Sequence, residues 1–258
     1  MKEEIKKELL RLQQQHNICI LYAVESGSRA WGFASVNSDW DVRYLYIERP
    51  EWYLSIDNGK DSREEILPSD IDLSGWELRK ALRLFRKSNP PLLEWLRSPI
   101  VYMQQHGVAA KMQELAGAYF SPKNCLYHYL SMAAGNYRAY LQTETVRTKK
   151  YFYVLRPILA CMWIEQYNTM APMEFEMMLN QLVTGPQLLK EINHLLERKK
   201  TGEELNEEPR IPLLNEYLEE RIQYFTEYCK NQETHEVPGT ELLNRLFRET
   251  LKEAWAEQ

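Results

Sequence analysis

Asp39 and Asp41, separated by one residue, follow a glycine–serine pair, Gly27 and Ser28, after the ten residues 29 to 38. Side chains two apart on a strand point to the same side, so a strand through this stretch forces two carboxylates together. That pairing is unfavourable on its own, and a divalent cation with oxygen ligands compensates it; magnesium suits the donors. Ahead of the pair, a Gly-Ser turn leaving a strand and entering a short helix presents backbone N–H groups and a hydroxyl to phosphate oxygens. Arg29 adds a cation directly after it. Phosphate cradle and paired carboxylates are the parts required for two-metal displacement at a nucleotide α-phosphate. A third carboxylate normally completes such a site. Asp72, in the last short strand before a helix, is the first choice, and Asp70 on the same face is the reserve. The expectation is that Asp39 and Asp41 bind two magnesium ions, with manganese as a substitute. Asp72 then holds the catalytic metal, and Gly27 with Ser28 receives the triphosphate.

Further cations stand in two places. Lys149, Lys150, Tyr153 and Arg156 have the spacing of one helix face and are expected to bind the triphosphate, against the alternative of a plain helix surface with a buried tyrosine. Arg79, Lys80, Arg83, Arg86 and Lys87 lie on a stretch without an acid from Leu78 to Leu93. That stretch reads either as a solvated basic face or as a contact for triphosphate or an RNA backbone. Trp31 and Phe33 flank Gly32 between cradle and carboxylates, as core plugs or as a wall against a base. His128 reads as a packing residue, and Glu77 as a first-turn acid.

These residues need elements to position them. Residues 2 to 15 place Ile5, Leu9 and Leu12 on one helical face, and Ile18 to Val24 is an apolar strand running into Glu25-Ser26-Gly27-Ser28. A second strand is expected over Asp41 to Ile47, with others over Trp52 to Ile56, Glu64 to Leu67 and Asp70 to Leu73, the last before a helix opened by Ser74-Gly75-Trp76. Between residues 100 and 120 the chain changes character. From Ser121-Pro122, an N-cap with proline at the first helical position, nearly every segment reads as helix: to Gln142, then about 149 to 167, 172 to 182, 186 to 199, 212 to 231 and 240 to 256. The expected fold class is α+β, with a small mixed β-sheet domain over 1–118 and an all-helical domain over 119–258.

The 258 residues are 44% hydrophobic and 27% charged, a globular balance with no apolar run near the roughly 18 residues that span a membrane. The N-terminus carries acids and bases at helical spacing without an apolar core region, so the expected compartment is the cytoplasm. Cys19, Cys125, Cys161 and Cys229 lie far apart without a C-x-x-C pair, which disfavours a zinc knuckle or a disulfide framework. A net charge of −5 argues against a protein coated with non-specific nucleic-acid contacts and leaves room for a local basic groove.

Gly27-Ser28 with Asp39-x-Asp41 resembles the signature of the DNA polymerase β nucleotidyltransferase superfamily. The fuller string GSRAWGFAS…SDWDVR, with DLSGWELRKALRLF and LLEWLRSPIVY, resembles the bacterial and phage family of nucleotidyltransferases linked with RNA repair. The likeness continues into YHYLSMAAGNYRAYL and KKYFYVLRPILA and fades after roughly residue 170. It implies a compact mixed sheet bearing the carboxylates, a helical C-terminal domain, and transfer of a nucleoside monophosphate from a nucleoside triphosphate such as ATP. An RNA 3′ end is the first acceptor it suggests; a protein hydroxyl or a small molecule stays open. The rival class is a non-catalytic nucleotide- or partner-binding module of the antitoxin-like kind.

Overall fold

Burial on both faces explains why the strand after the first helix is apolar up to its closing Glu25 rather than alternating. The computed structural model describes residues 1–203, 205–233 and 236–256, and the chain divides into two compact units.

In the sheet unit, α1 (Lys2–His16) buries Ile5, Leu9 and Leu12 and ends at Asn17, whose φ of 53° is the left-handed conformation asparagine tolerates. The chain then forms β1 (Cys19–Glu25), α2 (Gly27–Ala30), β2 (Trp40–Ile47), α3 (Pro50–Tyr53), β3 (Ser62–Ile66), β4 (Ile71–Glu77), α4 (Leu78–Arg86), α5 (Pro90–Trp95), β5 (Val101–Gln104) and α6 (Val108–Tyr119). The sheet has the order β3-β4-β2-β1-β5, with β2 and β4 parallel and the other pairs antiparallel. Val42, Tyr44, Tyr46, Ile71 and Leu73 pack with the buried side of α1. Alternation therefore turns Asp41, Arg43 and Asp72 to the other face.

Two expectations are corrected here. Residues 52–56 are not a strand: Pro50 starts the short helix α3, with Arg49 extended before it, and Leu54 and Ile56 are exposed beyond it. Ser74-Gly75-Trp76 does not open a helix but continues β4. Gly75 is the small residue there because the Tyr44 ring lies against it, with ring atoms 2.2 Å from where a Cβ would stand. The helix opens at Leu78, capped by the Glu77 carboxylate, which accepts the N–H groups of Arg79 and Lys80.

The helical unit contains the loop Trp31–Ser38 together with α7 (Pro122–Tyr140), β6 (Thr145–Arg147), a 3-10 turn (Thr148–Lys150), α8 (Tyr151–Tyr167), α9 (Phe175–Leu182), α10 (Pro186–Lys200), β7 (Glu207–Pro209) and α11 (Pro212–Lys230). The unit is not wholly helical, because β6 and β7 pair antiparallel. Phe33 stacks on Phe152 at 5.0 Å and meets Phe175 edge-on at 5.3 Å, so it is a core plug. The last helix, α12 (Glu241–Ala254), belongs with the sheet unit, where it packs on α4 and α6. The division expected as 1–118 and 119–258 is thus discontinuous: residues 31–38 go to the helical unit and 237–256 return to the sheet. Among the described residues no helix is long and apolar enough to cross a membrane.

Candidate active site

The parallel register of β2 and β4 sets Asp41 directly beside Asp72. Both carboxylates reach one guanidinium nitrogen: Arg43 Nη2 lies 2.9 Å from Asp41 Oδ1 and 2.9 Å from Asp72 Oδ2. Arg43 Nη1 donates to the carbonyls of Val42, at 3.1 Å, and Asp72, at 3.0 Å, so the side chain ties the two strand ends together. The carboxyl of Asp41 sits above its usual range. Burial raises it most, Arg43 opposes this, and the charges of Asp72 and Asp39 push it further.

The Gly-Ser turn reaches the same place. Ser26 donates its N–H to the Asp41 carbonyl at 2.8 Å, and Gly27 has a φ of 58°. A Cβ at Gly27 would stand 2.0 Å from Asp41 Oδ2, so only glycine leaves room for that carboxylate. Ser28 follows in the first turn of α2. Arg29 lies over the Trp40 ring at 3.6 Å and donates to the Asp39 carbonyl at 3.2 Å, holding the two ends of the 31–38 loop. Asp39 is exposed ahead of β2, and Asp70 sits in a left-handed turn with its carbonyl accepting the Trp40 N–H.

Glu25 was not anticipated as part of this site. It is fully buried at the end of β1, accepts the Asp41 N–H at 2.9 Å and the Tyr102 hydroxyl at 2.5 Å, and thereby fixes the backbone that carries Asp41. Burial raises its carboxyl above the usual range, opposed by those two hydrogen bonds. The only sequence signal was an acid closing an apolar strand just before the glycine. Arg43 was legible as the next residue on the Asp41 face.

In the helical unit the expected common face is not formed. Lys149 and Lys150 belong to the 3-10 turn, Tyr153 is exposed, and Arg156 is buried against the Trp31 ring, 4.4 Å from its centroid. Lys150 lies between the rings of Tyr140 and Tyr153, at 4.2 and 4.8 Å. Its amine is lowered from the ordinary lysine value by burial and then by Lys149 and Arg147, so an anion there would be favoured.

Among the described residues no three or more His, Cys, Asp or Glu side chains converge to hold a metal ion unaided. The oxygen-only pair Asp41 and Asp72 still suits magnesium, which binds through one or two carboxylates plus substrate phosphates rather than through an all-protein cage.

A mixed sheet whose facing strands bring carboxylates against a Gly-Ser turn is the arrangement implied for nucleotidyltransferases of the DNA polymerase β type. The chain belongs to the RNA repair pathway DNA polymerase beta family, which it matches over residues 1–249, well past the point where the motif likeness fades. It is similar to the uncharacterized protein YcgL of Bacillus subtilis (strain 168), with 49% identity over 257 residues, covering 100% of this chain and 99% of that protein. Among solved structures it is similar to a nucleotidyltransferase-like protein from Exiguobacterium sibiricum 255-15, at a TM-score of 0.34 and 10% identity, covering 85% of this chain and 75% of that one.

Proposed function

We propose that the protein transfers a nucleoside monophosphate from a nucleoside triphosphate to an RNA 3′ end, with magnesium, releasing pyrophosphate. The observation that carries this reading is the Asp41–Asp72 pair, set side by side on parallel strands with Gly27 against it. In this reading Asp41 and Asp72 hold the metal together with the triphosphate, and Asp39 supplies the outer carboxylate. When bound, magnesium lowers the pKa of the attacking hydroxyl and neutralises charge on the leaving pyrophosphate. Arg43 balances the carboxylates and keeps their strand ends aligned, Glu25 holds the Asp41 backbone, and the Gly27-Ser28 turn receives phosphate oxygens. Lys149 and Lys150 are proposed phosphate contacts of the helical unit, and Arg156 acts there through Trp31. RNA as acceptor is supported by the family's description. The four cysteines, all free and buried, fit a cytoplasmic setting.

The test is incubation with each labelled nucleoside triphosphate, magnesium, and total RNA and protein extracts. Label should enter RNA and be lost with Asp41→Ala. Label on protein or on a small molecule would replace the acceptor. Absence of magnesium-dependent pyrophosphate release would leave a nucleotide- or partner-binding module. An Asp41→Ala variant within about tenfold of wild type, ~1.4 kcal/mol of barrier, would reject the two-metal assignment.

A further inference from the structure

Arg79, Arg83 and Arg86 leave α4 at positions i, i+4 and i+7, one helical face, with about 6 Å and then about 4.5 Å between successive positions along the axis. They line a cleft of about 210 Å³ between α4 and α12, together with Thr240, Asn244 and Phe247. A second cleft of about 330 Å³ shares Arg79 and Arg83.

Among the described residues no carboxylate lines the first cleft, and none of the three guanidinia has a carboxylate oxygen within 4.0 Å. The acids nearby are engaged elsewhere. Asp61 pairs with Lys80 at 3.0 Å, Glu241 with Arg248 at 2.9 Å and Glu249 with Lys111 at 3.5 Å. Glu77 is occupied by the Tyr53 hydroxyl and the N–H groups that it caps. Arg79 lies over the rings of Trp52 and Tyr53, at 5.5 and 5.3 Å, and its charge acts on Glu77. In a chain of net charge −5, Arg83 and Arg86 beside it, without an ion-pair partner among the described residues, are a local feature that a diffuse surface charge does not account for.

The form of the row selects the ligand. A single phosphate would meet one or two of these side chains, whereas cations spaced along about 10 Å match a chain of phosphates. The floor beneath them is apolar, from Leu82, Leu243 and Phe247, so the polar recognition lies with the arginines and Asn244. The position selects its role. The strand β4 carries Asp72 near its start and delivers α4 at its end, five residues and about 17 Å further on. A phosphate held at Arg79 therefore belongs to a nucleotide several positions from the reacting end.

We propose that the α4–α12 cleft binds the sugar–phosphate backbone of the single-stranded RNA acceptor through Arg79, Arg83 and Arg86, upstream of the 3′ end. This rests on the reaction proposed above and adds a second site to it. The test is fluorescence anisotropy of a labelled single-stranded RNA oligonucleotide across a salt series, without nucleotide or magnesium. The Arg83→Ala/Arg86→Ala protein should bind at least tenfold more weakly at low salt. The slope of log K against log salt should shrink by about 1.4, two phosphate contacts at about 0.7 each on a single strand. The Arg83→Lys/Arg86→Lys protein should keep most of the slope, and Asn244→Ala should weaken binding without changing it. Circular dichroism controls for the fold. Wild-type affinity and slope in the double alanine variant would overturn the proposal, as would wild-type binding of an acidic polypeptide in preference to RNA. Asp41→Ala should bind RNA normally while losing transfer, so failure of the reaction and failure of the cleft are read in different columns of the same experiment.

Discussion

Asp41 is the residue at which site chemistry and fold stability oppose each other. Its carboxyl is raised by burial, with Arg43 offsetting part of the cost and Asp72 and Asp39 adding to it. A folded-state pKa above the unfolded one means that the folded chain keeps its proton where the unfolded chain has lost it. Stability therefore falls as pH rises from the ordinary carboxylate value through the folded one, and the full cost stands above that window. Asp41→Asn keeps the shape and removes the charge. At pH 7 and without metal it should melt at a higher temperature than wild type, and the difference should shrink as pH falls below the carboxylate range. Magnesium with a non-hydrolysable nucleotide should reverse the order, because a ligand at a hundredfold excess over Kd stabilises the folded state by about 2.7 kcal/mol and the variant binds it poorly. Thermal melts of both proteins, with and without ligand, check this. A lower metal-free melting temperature for Asp41→Asn, with equal gains from ligand, would make Asp41 a structural acceptor instead.

At the scale of elements, the turn between β1 and α2 meets the start of β2 through one missing side chain. Gly27→Ala adds a methyl where Asp41 Oδ2 already stands and forces alanine to a φ of 58°, a conformation costing about 1–2 kcal/mol. The carboxylate must turn away or the turn must unwind. Transfer should fall by at least a hundredfold while circular dichroism stays that of wild type, and activity within tenfold would mean that the turn and Asp41 do not share a site. This dependence was readable in sequence only as a spacing: Gly-Ser, ten residues, Asp-x-Asp. The long helices were readable because apolar residues recur on one face and because Ser121-Pro122, Pro186 and Pro212 mark their starts. The β4–α4 junction was not, since an acid followed by Ser-Gly resembles a helix start until Tyr44 is found lying over Gly75. Strand β5 escaped because its four residues leave too short an alternation to register. The face expected of Lys149, Tyr153 and Arg156 failed because helical spacing was counted through a 3-10 turn, and because Trp31, distant in sequence, covers Arg156.

At the scale of the whole molecule, a change of composition near residue 118 marks a boundary without revealing that the chain crosses between the units three times more. Residues 237–256 complete the sheet unit: Leu243 and Leu246 are buried, Phe247 meets Tyr53 edge-on at 5.0 Å, and the Trp255 indole N–H reaches the Glu48 carbonyl at 2.9 Å. The Tyr119 hydroxyl also donates to the Gly239 carbonyl at 2.9 Å. Burying each of these large apolar side chains contributes about 1.5–3 kcal/mol, and three together rival the 5–15 kcal/mol by which a domain is stable. The fragment 1–118, which the sequence boundary would recommend, also leaves Phe33 without Phe152 and Phe175 and Trp31 without Arg156. It should therefore bind a hydrophobic dye and melt without a cooperative transition. Joining residues 237–258 to it through a flexible linker should restore cooperativity, because α12 covers α4 and α6, and with it the cleft that Arg79, Arg83 and Arg86 line. Calorimetry and dye binding on the two fragments measure the difference. A cooperative melt of 1–118 alone, within a few degrees of the linked form, would show that α12 is an accessory to the sheet unit rather than part of its core.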